Sequence, residues 1–270
     1  MILRIASALV LIPATLAIVI FAPPFVYLAV LGIAGTFCLF EYFQLMRKMG
    51  LQGQPWFGYA GFWTLLALFH GRWIPGAAVC SALVIAAFLA AMGRNVPMRD
   101  RALGLMTNLL GIFYLGLCIY PAVAVRYTFG ERLGMEWTVT LLAVIWAGDT
   151  GALFGGRSLG RTAFAPQLSP RKTNEGAVTG LLAGLAAALL LRHFLFGDLP
   201  LQHIILASLL MGIFGQLGDL AESMLKRAAE VKESSNLIPG HGGALDRIDS
   251  LLFAFPVLYL YLLHVYPQVG

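Results

Sequence analysis

Residues 201–228 read LQHIILASLLMGIFGQLGDLAESMLKRA, and this stretch combines the two features that decide the fold. Residues 201–221 are mostly apolar and are long enough for one membrane-spanning helix, which requires about 20 residues. Carboxylates and cations then follow between Asp219 and Arg227. The stretch therefore predicts a spanning helix with a charged cluster at one end.

Eight further apolar runs predict eight more helices. They lie at about 5–22, 25–45, 57–70, 74–92, 104–125, 137–155, 176–196 and 251–267. The third run is short, but the order of basic and non-basic loops is consistent only if it also spans. The sequence thus predicts an all-α, polytopic membrane protein with about nine transmembrane helices.

The composition excludes several classes of protein. Of the 270 residues, 59% are hydrophobic and 11% are charged, whereas soluble chains have about 45–50% apolar and about 25% charged residues. Such a chain has too little charge for a soluble enzyme, a secreted disulfide scaffold or a disordered segment. The net charge of +5 is attributed to basic loops on one side of a membrane, so no nucleic-acid partner is expected.

The distribution of Lys and Arg predicts the orientation. Fourteen of the 18 basic residues fall on one side of the predicted spans, which places the N-terminus in the cytoplasm. The four on the other side are Arg72, Arg126, Arg132 and Arg192. We therefore expect a multi-pass protein of the cell (inner) membrane whose charged clusters face the cytoplasm.

The two halves of the chain differ in their polar residues. Residues 1–135 contain few acidic groups and are interpreted as scaffold helices with possible dimer and lipid contacts. Residues 136–270 contain the charged stretches and are interpreted as the catalytic part. An inverted-repeat transporter should have unusual polar features in both halves, so this asymmetry disfavours a transporter.

The first charged stretch follows Asp149, at the cytoplasmic end of the sixth predicted span. An acid within a span is a functional candidate by default, although Asp149 could instead cap or pair with Arg157 at the membrane surface. The glycines between these two residues allow either close helix packing or backbone approach to phosphate. The stretch lacks the spacing of a Walker A loop.

The second stretch, Ser169–Gly176, opens the seventh predicted span. Thr173 or Asn174 can cap that helix. Helix N-termini attract anions, and Arg171 and Lys172 add full positive charges beside this one. The alternative is an ordinary basic loop with a capped helix.

The third stretch predicts a phosphate and metal site. Spacings of three and four residues place one set of polar side chains on a single helical face; these are Asp219, Glu222, Ser223 and Lys226. Asp246 and Asp249 share a face if the ninth span begins there. Carboxylates hold Mg²⁺, which neutralises phosphate oxygens, and Lys and Arg clamp the remainder. Each acid taken alone could instead form a loop salt bridge.

The loop Pro239–Gly243 cannot be a regular helix, because Pro and Gly dominate it. Its His241 could bind phosphate or shape the turn.

Residues 223–249, Ser-x-x-Lys-Arg…Lys…Pro-Gly-His-Gly-Gly-x-x-Asp-Arg-x-Asp, resemble the signature of the phosphatidate cytidylyltransferases, also called CDP-diacylglycerol synthases. Ser169-Pro-Arg-Lys-Thr-x-Glu-Gly and the stretch from Asp149 to Thr162 are similar to two further parts of that family. The resemblance covers roughly residues 140–260, and the N-terminal half is similar only in hydropathy.

The resemblance implies a nine-span, often dimeric membrane protein that converts CTP and phosphatidate into CDP-diacylglycerol and pyrophosphate. It implies that the protein requires Mg²⁺, with a second cation left open. It also implies a homodimer in contact with membrane lipids. The implied metal ligands are Asp219, Asp246 and Asp249, and the implied catalytic residues are Asp219, Asp246, Lys226 and Arg247. The implied substrate-binding residues are Arg171, Lys172, Arg227, Ser223, Glu222, His241, Gly242, Gly243 and Asp149.

The chain departs from the family pattern at two places in the third stretch. Glu233 stands where the family usually has Asp, and Ser234 and Ser235 stand where a Gly is common. Two other functions remain open. One is a CTP-dependent transferase similar to polyprenol or dolichol kinases, which should need a base to activate a hydroxyl. The other is an anionic-solute transporter.

Overall fold

The computed structural model describes residues 2–71, 76–197, 199–237 and 242–266, with side chains described outside residues 2–8 and 68–71. Nine α-helices lie in these ranges: α1 (Ile2–Phe21), α2 (Pro24–Lys48), α3 (Pro55–Gly71), α4 (Gly76–Met92), α5 (Met98–Thr128), α6 (Glu131–Ser158), α7 (Asn174–Leu191), α8 (Leu201–Ala228) and α9 (Leu245–His264). Each predicted apolar run coincides with one of them. The all-α expectation is therefore confirmed at the level of the helices.

Six helices within the described ranges are long and apolar enough to cross a membrane. They are α2, α5, α6, α7 together with a π-helical turn at Arg192–Phe196, α8 and α9. Leu9–Phe21 and Gly76–Met92 are shorter apolar helices. The chain is therefore a polytopic α-helical membrane protein, while the count of nine spans and the cytoplasmic N-terminus stay predictions.

A small β-hairpin interrupts the helices between α6 and α7, where the sequence analysis expected only a loop. Strand β1 (Ala163–Ala165) pairs antiparallel with β2 (Ser169–Thr173). The hairpin ends directly at α7, where Thr173 Oγ1 accepts a hydrogen bond from Gly176 N at 3.1 Å. Of the two predicted capping residues, Thr173 is thus the N-cap.

Helices α6 and α7 approach each other closely through small residues. A Cβ built on Gly151 would lie 2.5 Å from Ala183 Cβ, and one on Gly180 would lie 2.9 Å from Gly148 O. Side chains at these positions would separate the helices. Small residues allow the same close approach in other contacts between membrane helices. Close packing, one of the two predicted roles of these glycines, is therefore what the fold uses.

Helices α8 and α9 form the second close pair, and their junction positions the charged residues. A Cβ on Gly218 would lie 2.5 Å from Asp249 O, so the glycine lets the first turn of α9 rest against α8. Ala229, which follows α8, and Leu245, the first residue of α9, belong to one buried apolar cluster that also contains residues of α2 and α5. This packed core fixes the end of α8 against the start of α9.

Candidate active site

Three carboxylates meet where α8 and α9 join. Asp219 and Glu222 come from α8, and Asp249 comes from the first turns of α9. One oxygen from each lies within 4.8 Å of the others. We call Asp219, Glu222 and Asp249 the carboxylate cluster. Oxygen ligands in this arrangement are those that a hard divalent cation such as Mg²⁺ takes.

Glu222 is the most deeply placed member of the carboxylate cluster. Its side chain is fully buried, and within the described part of the chain its Oε1 has no hydrogen-bond donor. Its Oε2 forms an ion pair with Lys226 Nζ, one helical turn later. A buried carboxylate oxygen without a partner is costly, so the side-chain set fits a cation at this point.

Asp246 lies in the same turn of α9 as Asp249 but has different surroundings. Its Oδ1 accepts from Lys226 Nζ at 2.6 Å. Its Oδ2 accepts from Ser234 N (2.9 Å), Ser234 Oγ (2.7 Å) and Gly243 N (2.8 Å). The structure therefore groups Glu222, not Asp246, with Asp219 and Asp249.

The hairpin brings one predicted phosphate-binding residue to the carboxylate cluster. Lys172 Nζ, from β2, lies 2.5 Å from Asp219 Oδ2, and both side chains are about one-third exposed. Ser223 Oγ donates to Asp219 Oδ1 at 3.4 Å. Asp149, exposed on α6, interacts electrostatically with Asp219, Lys172 and Arg247. Residues from α6, β2, α8 and α9 thus converge on one site.

The other cations that the sequence predicts to bind substrate are Arg171, Arg227 and Arg247. Arg171 in β2 and Arg247 in α9 are exposed. Arg227 donates from Nε to Leu168 O (3.2 Å) and from Nη1 to Val231 O (3.1 Å). It therefore ties the turn of the hairpin to the end of α8, and its role in binding phosphate stays a prediction.

Of the glycine-rich loop Pro239–Gly243, the structure describes only Gly242 and Gly243. His241, which was predicted to bind phosphate or shape the turn, lies outside the described residues. Gly242 has φ +76°, which favours glycine. A Cβ on Gly243 would lie 2.5 Å from Glu41 Oε2 and would overlap Ser234 Oγ. The two glycines thus let the backbone turn tightly into α9.

Sequence reasoning missed Glu41, a fully buried acid on α2. Its Oε1 accepts from Ala244 N (2.9 Å) and Ser235 Oγ (2.5 Å). Its Oε2 accepts from Leu245 N (2.7 Å) and lies 3.0 Å from Ser234 Oγ. Glu41 therefore caps α9 from a distant helix and holds the preceding segment.

A signal for Glu41 was present in the sequence, since an acid inside an apolar run is a functional candidate. The same contacts explain the departures at Ser234 and Ser235, whose hydroxyls bind Glu41 and, for Ser234, Asp246. We call Glu41, Ser234, Ser235, Gly243 and Asp246 the loop frame.

The chain is similar in sequence to known proteins. The model of the "Cytidylyltransferase family" matches residues 2–265, and so extends into the N-terminal half. The phosphatidate cytidylyltransferase of Bacillus subtilis (strain 168) is 40% identical over 153 residues, which cover 57% of this chain and 56% of that relative.

Two further phosphatidate cytidylyltransferases are similar. That of Haemophilus influenzae is 44% identical over 135 residues (48% of this chain, 47% of the relative). That of Brucella suis biovar 1 is 42% identical over 152 residues (56% and 55%). The chain thus spans about half the length of the curated relatives that it matches.

Proposed function

We propose that this chain, which belongs to the cytidylyltransferase family, transfers a cytidylyl group from CTP to phosphatidate and releases pyrophosphate. The support from relatives is that the similar curated proteins are named phosphatidate cytidylyltransferase. The observation that supports it most is the carboxylate cluster with Lys172 and Lys226 directly beside it. Alternating carboxylates and ammonium groups suit a reaction between two polyanions.

We propose that the carboxylate cluster holds Mg²⁺, with Asp219, Glu222 and Asp249 as protein ligands. The unpartnered Oε1 of buried Glu222 supports this choice. The bound ion would neutralise phosphate oxygens. Asp246, which the sequence analysis placed among the ligands, is proposed instead to position Lys226, since its oxygens already accept hydrogen bonds.

The protein's own groups then have to position the two substrates and balance their charge. The nucleophile is a phosphomonoester oxygen of phosphatidate, which is already anionic near neutral pH and needs no strong base. It forms a new P–O bond at the α-phosphorus of CTP, while the bond from that phosphorus to the bridging oxygen breaks. Lys172 pairs with Asp219 at the site, and we propose that it holds the phosphate oxygens in line together with the exposed Arg171 and Arg247.

We propose that the site faces the cytoplasm in the cell (inner) membrane and that the protein is a homodimer. The basic loops support the orientation, and the position of Lys172, Arg171 and Arg247 at one end of the helices agrees with it. CTP is a cytoplasmic solute and phosphatidate a bilayer lipid, so an interfacial site serves both.

A turnover assay tests this proposal. The purified protein in detergent is given phosphatidate, labelled CTP and Mg²⁺, and the products are separated. We expect a CDP-lipid and pyrophosphate from the wild type and from Asp100→Asn, a control at an exposed acid in the first turn of α5. Phosphoryl transfer to a polyprenol, with no CDP-lipid from phosphatidate, would contradict the proposal.

A further inference from the structure

A cavity of 530 Å³ lies between the last turns of α2 and the segment that precedes the glycine-rich loop. Phe40, Gln44 and Lys48 line it from α2, and residues 232–237 line it from the other side. We call it the α2 cavity. Its volume is in the range of small-molecule sites, about 300–1,000 Å³, and none of the residues assigned to the carboxylate cluster lines it.

The polar lining of the α2 cavity suits a phosphate group. Lys48 and Lys232 are both exposed and approach it from opposite walls. Gln44 and Asn236 add side-chain amides that can donate hydrogen bonds, and Glu233 is the acid among the lining residues. Two ammonium groups that face a cavity together with neutral donors can bind phosphate oxygens through charge-assisted hydrogen bonds.

An apolar strip on α2 leads directly to the α2 cavity. Ile33, Phe37 and Phe40 are 54%, 45% and 45% exposed, and their spacing of four and three residues places them on one helical face. Helix α2 is long and apolar enough to span a membrane. Leu237, on the opposite wall, is also 45% exposed. The strip thus continues, within one helix, from the apolar region to the two lysines.

The α2 cavity shares a wall with the loop frame. Ser234 lines the cavity and donates its hydroxyl proton to Asp246 Oδ2 at 2.7 Å. Asp246 in turn holds Lys226, which forms an ion pair with Glu222 of the carboxylate cluster. An occupant of the cavity therefore lies beside the hydrogen-bonded chain that ends at the carboxylate cluster.

We propose that the α2 cavity binds the phosphomonoester head group of an anionic phospholipid, whose acyl chains lie along the Ile33–Phe37–Phe40 face of α2. A phospholipid carries its phosphate at one end of its apolar chains, and the apolar strip on α2 likewise ends at the two lysines. A free nucleotide would leave the apolar strip unused. The inference rests on the proposed function in one respect, because the occupant is then phosphatidate, which is held here before its phosphate moves to the carboxylate cluster to react.

Steady-state kinetics test the inference in mixed micelles, where the surface concentration of phosphatidate and the bulk concentration of CTP vary independently. For Lys48→Gln/Lys232→Gln we expect the KM for phosphatidate to rise by about tenfold or more, since two charge-assisted contacts are lost. The KM for CTP should stay near the wild-type value. Arg47→Gln is the matched control, since Arg47 is an exposed cation next to Lys48. A rise in the KM for CTP instead would overturn the inference.

A binding measurement without turnover separates this inference from the proposed function. A photoreactive phosphatidate in phosphatidylcholine vesicles without Mg²⁺ should label the 33–48 and 232–237 peptides of the wild type. Unlabelled phosphatidate should compete, and the double lysine variant should label several-fold less. Competition by CTP but not by phosphatidate would overturn the inference. Specific labelling of a wild type that makes no CDP-lipid would contradict the proposed function and leave the lipid site intact.

Discussion

Asp246 and Asp249 stand three residues apart at the start of α9, yet they belong to different environments. Asp246 accepts hydrogen bonds from Lys226, Ser234 and Gly243, so its charge is balanced within the loop frame. Asp249 accepts from Ser250 N at 2.7 Å and otherwise faces Asp219 and Glu222 in the carboxylate cluster. A satisfied carboxylate fixes a structure, whereas carboxylates that face one another are suited to hold a cation.

The largest expected effect is the loss of activity in the carboxylate cluster. Asp249→Asn should lower turnover by about 10²–10³-fold, the range seen when one group that stabilises a transition state is removed. Its thermal stability should stay the same or rise, because a charge that faces other carboxylates is removed. Turnover and thermal unfolding in detergent check this, and a clear loss of stability would assign Asp249 to the frame instead.

Asp246→Asn should lower stability as well as activity. The exchange leaves Lys226, whose side chain is 11% exposed, without one of its two anionic partners. Removing one partner of a buried ion pair costs about 3–5 kcal/mol. A melting temperature well below that of Asp249→Asn is expected. Equal melting temperatures for the two variants would contradict the claim that the two aspartates have different environments.

Glu41→Gln tests whether an acid from the N-terminal half of the chain holds the loop frame in place. A glutamine keeps one oxygen but turns an amide donor towards groups that already donate, among them Ala244 N and Leu245 N. Leaving such donors unsatisfied costs about 1–3 kcal/mol. We expect faster tryptic cleavage after Lys232, measured against Glu136→Gln, an acid paired with Arg132 in α6. Unchanged cleavage would show that the frame does not depend on Glu41.

The smallest expected effect belongs to Ser235→Ala, which removes one hydroxyl donor to Glu41. The two backbone donors to that carboxylate, Ala244 N and Leu245 N, remain. A single hydrogen bond contributes about 0.5–1.5 kcal/mol, so the melting temperature should fall slightly and the KM for CTP should not change. A loss of turnover comparable to that of Asp249→Asn would mean that Ser235 acts in the reaction itself.

Local patterns in the sequence predicted the helices and one face of the site. Apolar runs of spanning length located the helices, and the spacing from Asp219 to Lys226 predicted the α8 face, where Glu222 and Lys226 do meet. Capping chemistry predicted Thr173. All of these features depend on residues close together in the chain.

The division between Asp246 and Asp249 could not be predicted in this way. Both are aspartates at the start of α9, and what distinguishes them is the set of donors that reach Asp246 from Lys226, Ser234 and Gly243. The contacts of Glu41 with Ala244 and Leu245 join residues about 200 positions apart. Such contacts depend on how α2 packs against α9, which spacing within either helix does not specify.

Cation binding tests the central claim most directly, and Mn²⁺ is a suitable probe because it takes the same oxygen ligands as Mg²⁺. Bound Mn²⁺ is counted by electron paramagnetic resonance on folded wild type, Asp249→Asn, Asp246→Asn and the control Asp100→Asn. We predict that Asp249→Asn loses the tight site, while Asp246→Asn and Asp100→Asn keep it. Loss of the site in folded Asp246→Asn, with retention in Asp249→Asn, would contradict the assignment of the carboxylate cluster.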